Sequence, residues 1–172
     1  ASQLADAAEH IGADRIELLP NHRVRYRTPG TRIDLGGIAK GYAIDRGIAL
    51  LKEAGIKHAW LSLGGDSYVL GDHRGRPWEV GIQHPRNQEK VAMRLPISDL
   101  AMSTSGDYQR YFIRDGRRIH HILSPQTGKS IDGLASVTVL ADNSLDADAL
   151  STSVFVLGVE KGLALIHRLA DT

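Results

Sequence analysis

The sequence predicts an α+β protein, and three observations lead to this fold class. Short apolar segments separated by turn residues recur through the middle of the chain and predict β-strands. Turn signals such as Asp115-Gly116, which lies between two of these segments, predict antiparallel hairpins. Apolar residues at three- or four-residue spacing predict helices near the start and at the end of the chain. Helices combined with mostly antiparallel strands define the α+β class.

The first predicted elements are a helix, a hairpin and a second helix. Residues 3–11 carry apolar side chains at helical spacing and predict a short amphipathic helix. Residues 15–19 and 22–26 predict two strands joined by a turn. Residues 38–54 give the strongest helix prediction, because their apolar residues repeat every three or four positions and Gly55 follows.

Strands dominate the rest of the chain, which closes with two helices. The predicted strands are 58–63, 67–70, 78–83, 91–97, 108–114, 119–123 and 136–140. The two closing helices are predicted over 148–157 and 161–169, with a break at Gly158. The sequence contains no repeat or linker, so 1–172 is predicted to be a single domain.

The composition is that of an ordinary globular protein and excludes several functional classes. A net charge of +1 indicates neither a nucleic-acid footprint nor a polybasic membrane surface. We therefore expect no nucleic-acid partner and no membrane contact by this chain, since no apolar run approaches the roughly 18 residues of a spanning helix. The absence of cysteine excludes disulfides, thiolate metal ligands and a cysteine nucleophile.

The stretch from Ile33 to Asp45 is the first candidate for a binding site. A glycine pair, Gly36-Gly37, precedes the predicted helix, and glycines let a ligand approach the main chain closely. The start of a helix offers free N–H groups that suit phosphate, and Lys40 could add a positive charge. The alternative is a simple strand-to-helix turn with a solvated lysine. The spacing is not that of a P-loop.

Two further clusters of small residues could bind a ligand. Gly64-Gly65-Asp66 follows a predicted strand, where main-chain N–H groups could face a ligand; the alternative is a tight turn. Residues 103–106, which read Ser-Thr-Ser-Gly, supply hydroxyl groups and a flexible backbone. The alternative for them is a solvated loop or a helix cap.

Histidine, aspartate and threonine residues supply candidates for chemistry. His120 and His121 are adjacent, and on a strand they point to opposite faces, so at most one faces a given site. Asp148 and Thr152 are four residues apart and share one helix face. A carboxylate with a hydroxyl suits Mg²⁺, although Asp148 could instead be a helix N-terminal residue favoured by the dipole.

Taken in order, these stretches resemble the FAD:protein FMN transferases of the ApbE family. The resemblance rests on five motifs: DLGGIAKGYAID at 34–45, LGGD at 63–66, STSGDY at 103–108, HHILSPQTG at 120–128 and DALSTSVFVLG at 148–158. It implies an α+β, T-fold-like core, with the site where the Gly36 turn meets the Asp148 helix.

The resemblance also implies a reaction. Such enzymes use Mg²⁺ and FAD, transfer FMN to a threonine or sometimes serine hydroxyl of a target flavoprotein, and release AMP. The acceptor proteins carry a threonine flavinylation motif and are redox subunits of membranes. The expected location is the periplasmic side of the bacterial inner membrane, held by a lipid anchor upstream of this chain.

Roles for individual residues follow from the resemblance. Asp148 and Thr152, with the main-chain carbonyl of Ala39, are expected to hold Mg²⁺. His121 is the first candidate for the base that accepts the hydroxyl proton, and His120 is the alternative. The residues expected to line the FAD phosphates are Gly36, Gly37, Lys40, Gly65, Asp66, Ser105 and Gly106.

This chain departs from the family pattern in two ways. Ser124 stands where the family usually has aspartate, which removes a carboxylate expected beside the proposed base. The chain also corresponds to the C-terminal part of the family's length and is expected to lack its N-terminal portion. Two other functions stay open: an Mg²⁺-dependent FAD pyrophosphatase that makes FMN and AMP, and a flavin-binding module without catalysis.

Overall fold

The computed structural model of the protein describes residues 11–170. The helix predicted over residues 3–11 therefore lies, but for its last residue, outside the described residues. The chain begins there with a 3₁₀ turn, Ala13–Arg15. In chain order, the strands are β1 (Ile16–Leu19), β2 (Arg23–Tyr26), β3 (Ala59–Leu63), β4 (Asp66–Leu70), β5 (Trp78–Gln83), β6 (Val91–Ile97), β7 (Leu100–Gly106), β8 (Tyr111–Arg114), β9 (Arg117–His120) and β10 (Ser136–Ala141). The helices are α1 (Ala39–Glu53), between β2 and β3, and α2 (Ser144–Ala170), after β10.

A four-stranded antiparallel sheet forms the centre of the fold. Its strand order is β10-β7-β4-β3, and both helices pack against it. Three antiparallel hairpins, β1–β2, β5–β6 and β8–β9, complete the strands of the described part. The arrangement is the α+β architecture that the sequence predicts.

The central strand β4 is buried on both faces, and the alternation of its side chains divides the core in two. Tyr68 and Leu70 face the helices, where they pack with Ile44 and Ile48 of α1. Val69 faces the opposite way. It packs there with a second set of buried residues: Val80, Ile97 and Met102.

Strand β7 is the main element that the sequence analysis missed. No strand was predicted over 100–106, and a solvated loop or a helix cap was the alternative to a ligand-binding role for residues 103–106. These residues are the second half of a strand paired with both β4 and β10. The strand was missed because serine, threonine and glycine resemble loop residues when read without their neighbours. The strand predicted over 119–123 also ends earlier, at His120.

The two closing helices predicted from the sequence are joined in α2. The helix begins at Ser144, four residues before the predicted start, and bends at Gly158, whose φ of 79° is non-helical. Asp148 therefore lies in the second turn and not at the N-terminus. By length and composition alone, the segment Ser144–Leu169 could cross a membrane. A single helix of this kind is weak evidence for a span, and the first half of α2 packs against the central sheet with Asp148 buried.

Helix α1 holds the start of α2 through two features of the Ile33–Asp45 stretch. The carboxylate of Asp45 accepts hydrogen bonds from the N–H groups of Ser144 and Leu145 at 2.7 and 2.9 Å. Gly41 lies so close to the main chain of Ser144 that an added Cβ would approach its carbonyl oxygen to 2.2 Å. The glycine therefore permits the close helix contact that brings Lys40 beside Asp148.

Candidate active site

A cavity of about 660 Å³ lies where four elements meet: the start of α1, the start of β4, the end of β7 and the second turn of α2. Nearly all of the site residues predicted from the sequence line it. These are Gly36, Gly37, Lys40, Gly65, Asp66, Ser105, Gly106, His121, Asp148 and Thr152. Residues from five separate motifs therefore share one cavity.

Lys40 lies between two buried carboxylates at the base of this cavity. Its Nζ atom is 2.8 Å from Oδ1 of Asp148 and 2.9 Å from Oδ2 of Asp66. The other oxygen of Asp148 accepts a hydrogen bond from the N–H of Gly41 at 3.0 Å. Since Asp148 is only 1% exposed, these partners satisfy a charge that would otherwise be costly to bury.

The pKa values of Lys40 and Asp66 reflect this arrangement. Burial acts to lower the pKa of Lys40, but the hydrogen bonds and charges of Asp148 and Asp66 outweigh it and raise that pKa above 10.5. Burial raises the pKa of Asp66, and the hydrogen bonds from Ser103 and Lys40 oppose that change. The lysine is therefore a firmly charged group at the base of the cavity.

Hydroxyl groups from β7 and α2 form the wall beside this ion pair. Alternation along β7 directs Ser103 and Ser105 to the same face of the sheet. Ser151 and Thr152 lie three and four residues after Asp148, on the side of α2 that faces them. The oxygen atom of each of these four hydroxyl groups lies within 3.0 Å of the oxygen atom of another one.

Glycines shape the opposite wall. The N–H of Gly36 donates to Oδ1 of Asp34 at 2.7 Å, which forms a tight turn before α1. A Cβ on Gly37 would lie 3.9 Å from Oγ1 of Thr152, so this turn closely approaches the hydroxyl wall. Gly65, which joins β3 to β4, has a φ of 97° that side chains disfavour.

The two adjacent histidines have different environments. His121 is exposed and lines the cavity, and its Nδ1 lies 3.4 Å from the carbonyl oxygen of Arg110. Because a carbonyl can only accept, this contact places the proton on Nδ1 and leaves Nε2 free to accept a proton. His121 therefore fits the role of a base.

His120, the alternative base, is not brought into the cavity. Its ring is buried against Phe155, and Nε2 lies 2.7 Å from the carbonyl oxygen of Ile131. Its Nδ1 accepts a hydrogen bond from the N–H of Ile122 at 3.3 Å. Both ring nitrogens are thus used inside the protein, so the geometry assigns His120 a structural role.

Ser124 forms part of the turn that follows β9 and does not contact His121. Its Oγ donates to the side chain of Gln126 and accepts from the N–H groups of Gln126 and Thr127. An aspartate at this position could accept the same N–H groups. In this structure the position of Ser124 therefore forms the turn and makes no hydrogen bond with the proposed base His121.

The residues proposed as metal ligands can be compared with the preferences of Mg²⁺. Asp148 and Thr152 line one cavity and supply a carboxylate and a hydroxyl, the hard oxygen ligands that Mg²⁺ prefers. Among the described residues, no group of three or more histidine, cysteine, aspartate and glutamate side chains could hold a metal. Ala39 is the first residue of α1 and does not line the cavity, so its role stays a prediction.

Sequence reasoning gave no individual role to several residues that contribute to the site. Ser103 belongs to the 103–106 cluster and Ser151 lies inside the DALSTS motif, so period-two and helical spacing could have assigned both. Gln109 and Arg110 also line the cavity, from the segment before β8. No local pattern distinguishes these two from surface residues.

A lysine paired with two buried carboxylates, together with glycines and hydroxyl groups, therefore lines this cavity. The whole chain, residues 1–172, matches the sequence model of the ApbE family. The chain therefore belongs to the ApbE family, as its motifs indicate.

Individual relatives support this membership. The chain is 41% identical over 145 residues to the FAD:protein FMN transferase of Klebsiella pneumoniae, which covers 83% of this chain and 44% of that protein. It is 34% identical over 173 residues to the Haemophilus influenzae protein of the same name, which covers 96% of this chain and 50% of the relative. The chain thus spans about half the length of these curated relatives.

Solved structures confirm the ApbE-like fold. The crystal structure of the ApbE protein of Thermotoga maritima matches with a TM-score of 0.88 at 36% identity, over 99% of this chain and 55% of that one. The apo form of the Pseudomonas stutzeri flavinyl transferase ApbE matches with a TM-score of 0.83 at 38% identity, over 99% of this chain and 53% of that one.

Proposed function

We propose that the protein containing this chain transfers FMN from FAD to a threonine, or sometimes serine, hydroxyl of an acceptor protein and releases AMP. The observation that carries this proposal is the convergence of Lys40, Asp66, Asp148, Thr152 and His121 on one cavity in a chain of the ApbE family. Relatives that match most of this chain are named FAD:protein FMN transferase.

The reaction is a displacement at the phosphorus of the FMN half. The acceptor oxygen forms a bond to that phosphorus, and the bond from it to the oxygen of the AMP half breaks. The hydroxyl proton passes to Nε2 of His121, a residue that lines the cavity and whose Nδ1 contacts the Arg110 carbonyl. The electron pair of the broken bond leaves with AMP.

Charge neutralisation is the main task of the remaining residues, since phosphoryl transfer depends on positioning and electrostatics. Lys40 supplies a fixed positive charge at the base of the cavity. The Gly36–Gly37 turn and Gly65 let the pyrophosphate approach the main chain closely. Asp148 and Thr152 would hold Mg²⁺, which when bound polarises a phosphoryl oxygen and balances its negative charge.

Family membership also suggests the acceptor and the location. We infer that the acceptor is a redox subunit of the bacterial inner membrane that carries a threonine flavinylation motif. The reaction would then take place on the periplasmic side, with a lipid anchor upstream of this chain. Both inferences rest on the family alone.

A mass measurement with His121→Gln tests the proposal. The complete natural protein is incubated with FAD, Mg²⁺ and an acceptor bearing the threonine motif, and the intact mass of the acceptor is recorded. We expect a gain of one FMN, with a rate lowered by about 10²–10⁴-fold in His121→Gln because the base is lost. His167→Gln, which changes an exposed histidine near the end of α2, is the matched control and should retain the rate.

Three other outcomes would change the interpretation. An unchanged rate in His121→Gln would remove the histidine from its role as base. Release of free FMN and AMP without a mass gain on the acceptor would favour the pyrophosphatase. Binding of FAD without turnover by the natural protein would favour a catalytically silent module.

A further inference from the structure

A chain of hydrogen-bonded hydroxyl groups, here called the hydroxyl chain, connects Asp66 to Thr152 in the wall of the cavity. Ser103 donates to Oδ1 of Asp66 at 2.6 Å, and its oxygen lies 3.0 Å from that of Ser151. Ser105 lies 2.9 Å from Ser151 and 3.0 Å from Oγ1 of Thr152. Ser151 also contacts the main-chain carbonyl oxygen of Asp148 at 3.1 Å. Ser103 and Ser151 are at most 1% exposed.

The number of protons limits the direction of this hydroxyl chain. Its five contacts share four hydroxyl protons, so one proton must serve two contacts. Ser103 gives its proton to Asp66, whose other oxygen faces the Lys40 ammonium. Ser151 gives its proton to the Asp148 carbonyl, so the contact between Ser103 and Ser151 must share one of these two protons.

The remaining two contacts follow from the same count. Ser105 must donate to Ser151, because the proton of Ser151 is already used. Thr152 must then donate to Ser105, because the proton of Ser105 is used in turn. Whichever of Ser103 and Ser151 shares its proton, a single shared proton leaves these two directions unchanged. These directions leave the lone pairs of the Thr152 oxygen available to the cavity that this residue lines.

We propose that the chain from Asp66 through Ser103, Ser151 and Ser105 fixes the Thr152 hydroxyl as an acceptor toward the cavity. Ser105 and Ser151 are thereby positioning residues for a divalent cation held by Asp148 and Thr152. The inference rests on the cation site of the proposed function and deepens it. It assigns a task to three serine hydroxyl groups, of which those of Ser103 and Ser151 are buried and that of Ser105 is half-buried in the cavity wall.

The orientation matters because a hydroxyl group can act in two ways at such a site. A threonine that points its proton into the cavity would donate to a phosphate oxygen and repel a cation. A threonine whose proton is held by Ser105 presents only lone pairs and suits a cation. Partners that orient a metal ligand typically change metal affinity by about 10–100-fold when they are removed.

The test measures Mn²⁺ binding to the complete natural protein by electron paramagnetic resonance, without FAD or acceptor. Mn²⁺ serves as the probe because it shares the oxygen-ligand preference of Mg²⁺. We expect Ser105→Ala and Ser151→Ala each to weaken Mn²⁺ binding by about tenfold. Ser105→Thr, which keeps a hydroxyl group at the cavity wall, should restore most of the affinity.

Two comparisons separate this role from a general effect on folding. Ser153→Ala removes a half-buried hydroxyl group of the same helix. This hydroxyl donates to the Ala149 carbonyl and is not part of the hydroxyl chain, so its removal should leave Mn²⁺ affinity unchanged. A double-mutant cycle pairs Ser105→Ala with Thr152→Val. If the serine acts through Thr152, its replacement should cause no further loss in the Thr152→Val background.

Several results would overturn the inference. Unchanged Mn²⁺ affinity in both Ser105→Ala and Ser151→Ala would show that the hydroxyl chain does not orient the Thr152 hydroxyl for the cation. If Ser105→Ala lowers the Mn²⁺ affinity equally in the wild-type and Thr152→Val backgrounds, the serine does not act through Thr152. If Thr152→Val alone keeps full Mn²⁺ affinity, Thr152 is not a ligand of the cation. Because no flavin is present, failure of FMN transfer with the expected Mn²⁺ pattern would contradict only the proposed function.

Discussion

At the scale of single residues, Lys40 shows how one side chain can serve both stability and function. The sequence suggested a positive charge for a phosphate. The structure adds that the same ammonium group bridges the buried carboxylates of Asp66 and Asp148. An incoming divalent cation would use the same Asp148 carboxylate. In this structure the Lys40 ammonium group therefore supplies the positive charge beside the Asp148 carboxylate.

The bridge gives the lysine a defined contribution to stability as a function of pH. The folded pKa of Lys40 lies above its ordinary value of 10.5, because Asp148 and Asp66 outweigh the effect of burial. A raised lysine pKa stabilises the folded state fully below the unfolded value, and this stabilisation is lost as the pH rises through the folded value. We therefore expect Lys40→Met to lower the free energy of unfolding at pH 8–10, with a difference that shrinks above about pH 10.5.

Denaturant unfolding of the wild type and Lys40→Met at a series of pH values measures this difference. The same series with Lys161→Met is the control, since this exposed lysine has no ion pair among the described residues. A difference between wild type and Lys40→Met that stays constant to pH 11.5 would contradict the assignment.

At the scale of elements, the site depends on how α1 and α2 are joined. The Asp45 carboxylate accepts two N–H groups from the first turn of α2, where the helix dipole also favours a negative charge. This contact sets the position of Asp148 relative to Lys40. Asp45 lies in the DLGGIAKGYAID motif, yet sequence reasoning gave it no role, because its partners are about 100 residues away.

Neutralising this carboxylate should weaken the helix junction. We expect Asp45→Asn to lower the free energy of unfolding by about 1 kcal/mol, since an amide accepts through only one oxygen and lacks the charge. Chemical denaturation provides the measurement. Glu53→Gln removes an exposed charge from the last residue of α1 and should change the stability little. Equal effects of the two substitutions would show that the Asp45 contact does not hold the helices together.

Strand β7 explains why one part of the site was difficult to predict. Period-two alternation places Ser103 and Ser105 on the helix-facing side, and the same strand pairs with β4 and β10. A strand rich in serine has low intrinsic β-propensity, so its structure depends on its neighbours. The hydrophobic pattern did predict β5, β6 and α1 closely, because their apolar periodicity is local.

At the scale of the whole molecule, the sequence predicted which motifs carry the site better than it predicted their contacts. The α+β class follows from periodicity, and the candidate site residues, most of which line one cavity, follow from the resemblance of five motifs to the ApbE family. The Lys40 bridge and the chain of serine hydroxyls do not, because they join residues that are distant in sequence. The choice between His120 and His121 also required the structure, since adjacent strand residues differ only in the face that they occupy.

The whole fold brings four chemical groups to one cavity: an ammonium, carboxylates, hydroxyls and an imidazole. They come from α1, β4, β7, α2 and the segment after β9, and the buried carboxylate of Asp148 joins two of these elements. It contacts Lys40 and the α1 main chain, and it belongs to the same helix face as Thr152. We therefore propose that this carboxylate is essential for FMN transfer.

The most direct test compares Asp148→Asn with Asp142→Asn in the complete natural protein. The measurement is the rate at which an acceptor with the threonine motif gains the mass of FMN in the presence of FAD and Mg²⁺. Asp148→Asn should lower this rate by more than about a hundredfold, because a cation ligand and the charge opposite Lys40 are both lost. Asp142→Asn, on the exposed segment before α2, should retain the rate. Full transfer by a folded Asp148→Asn protein would contradict the assignment of this cavity as the active site.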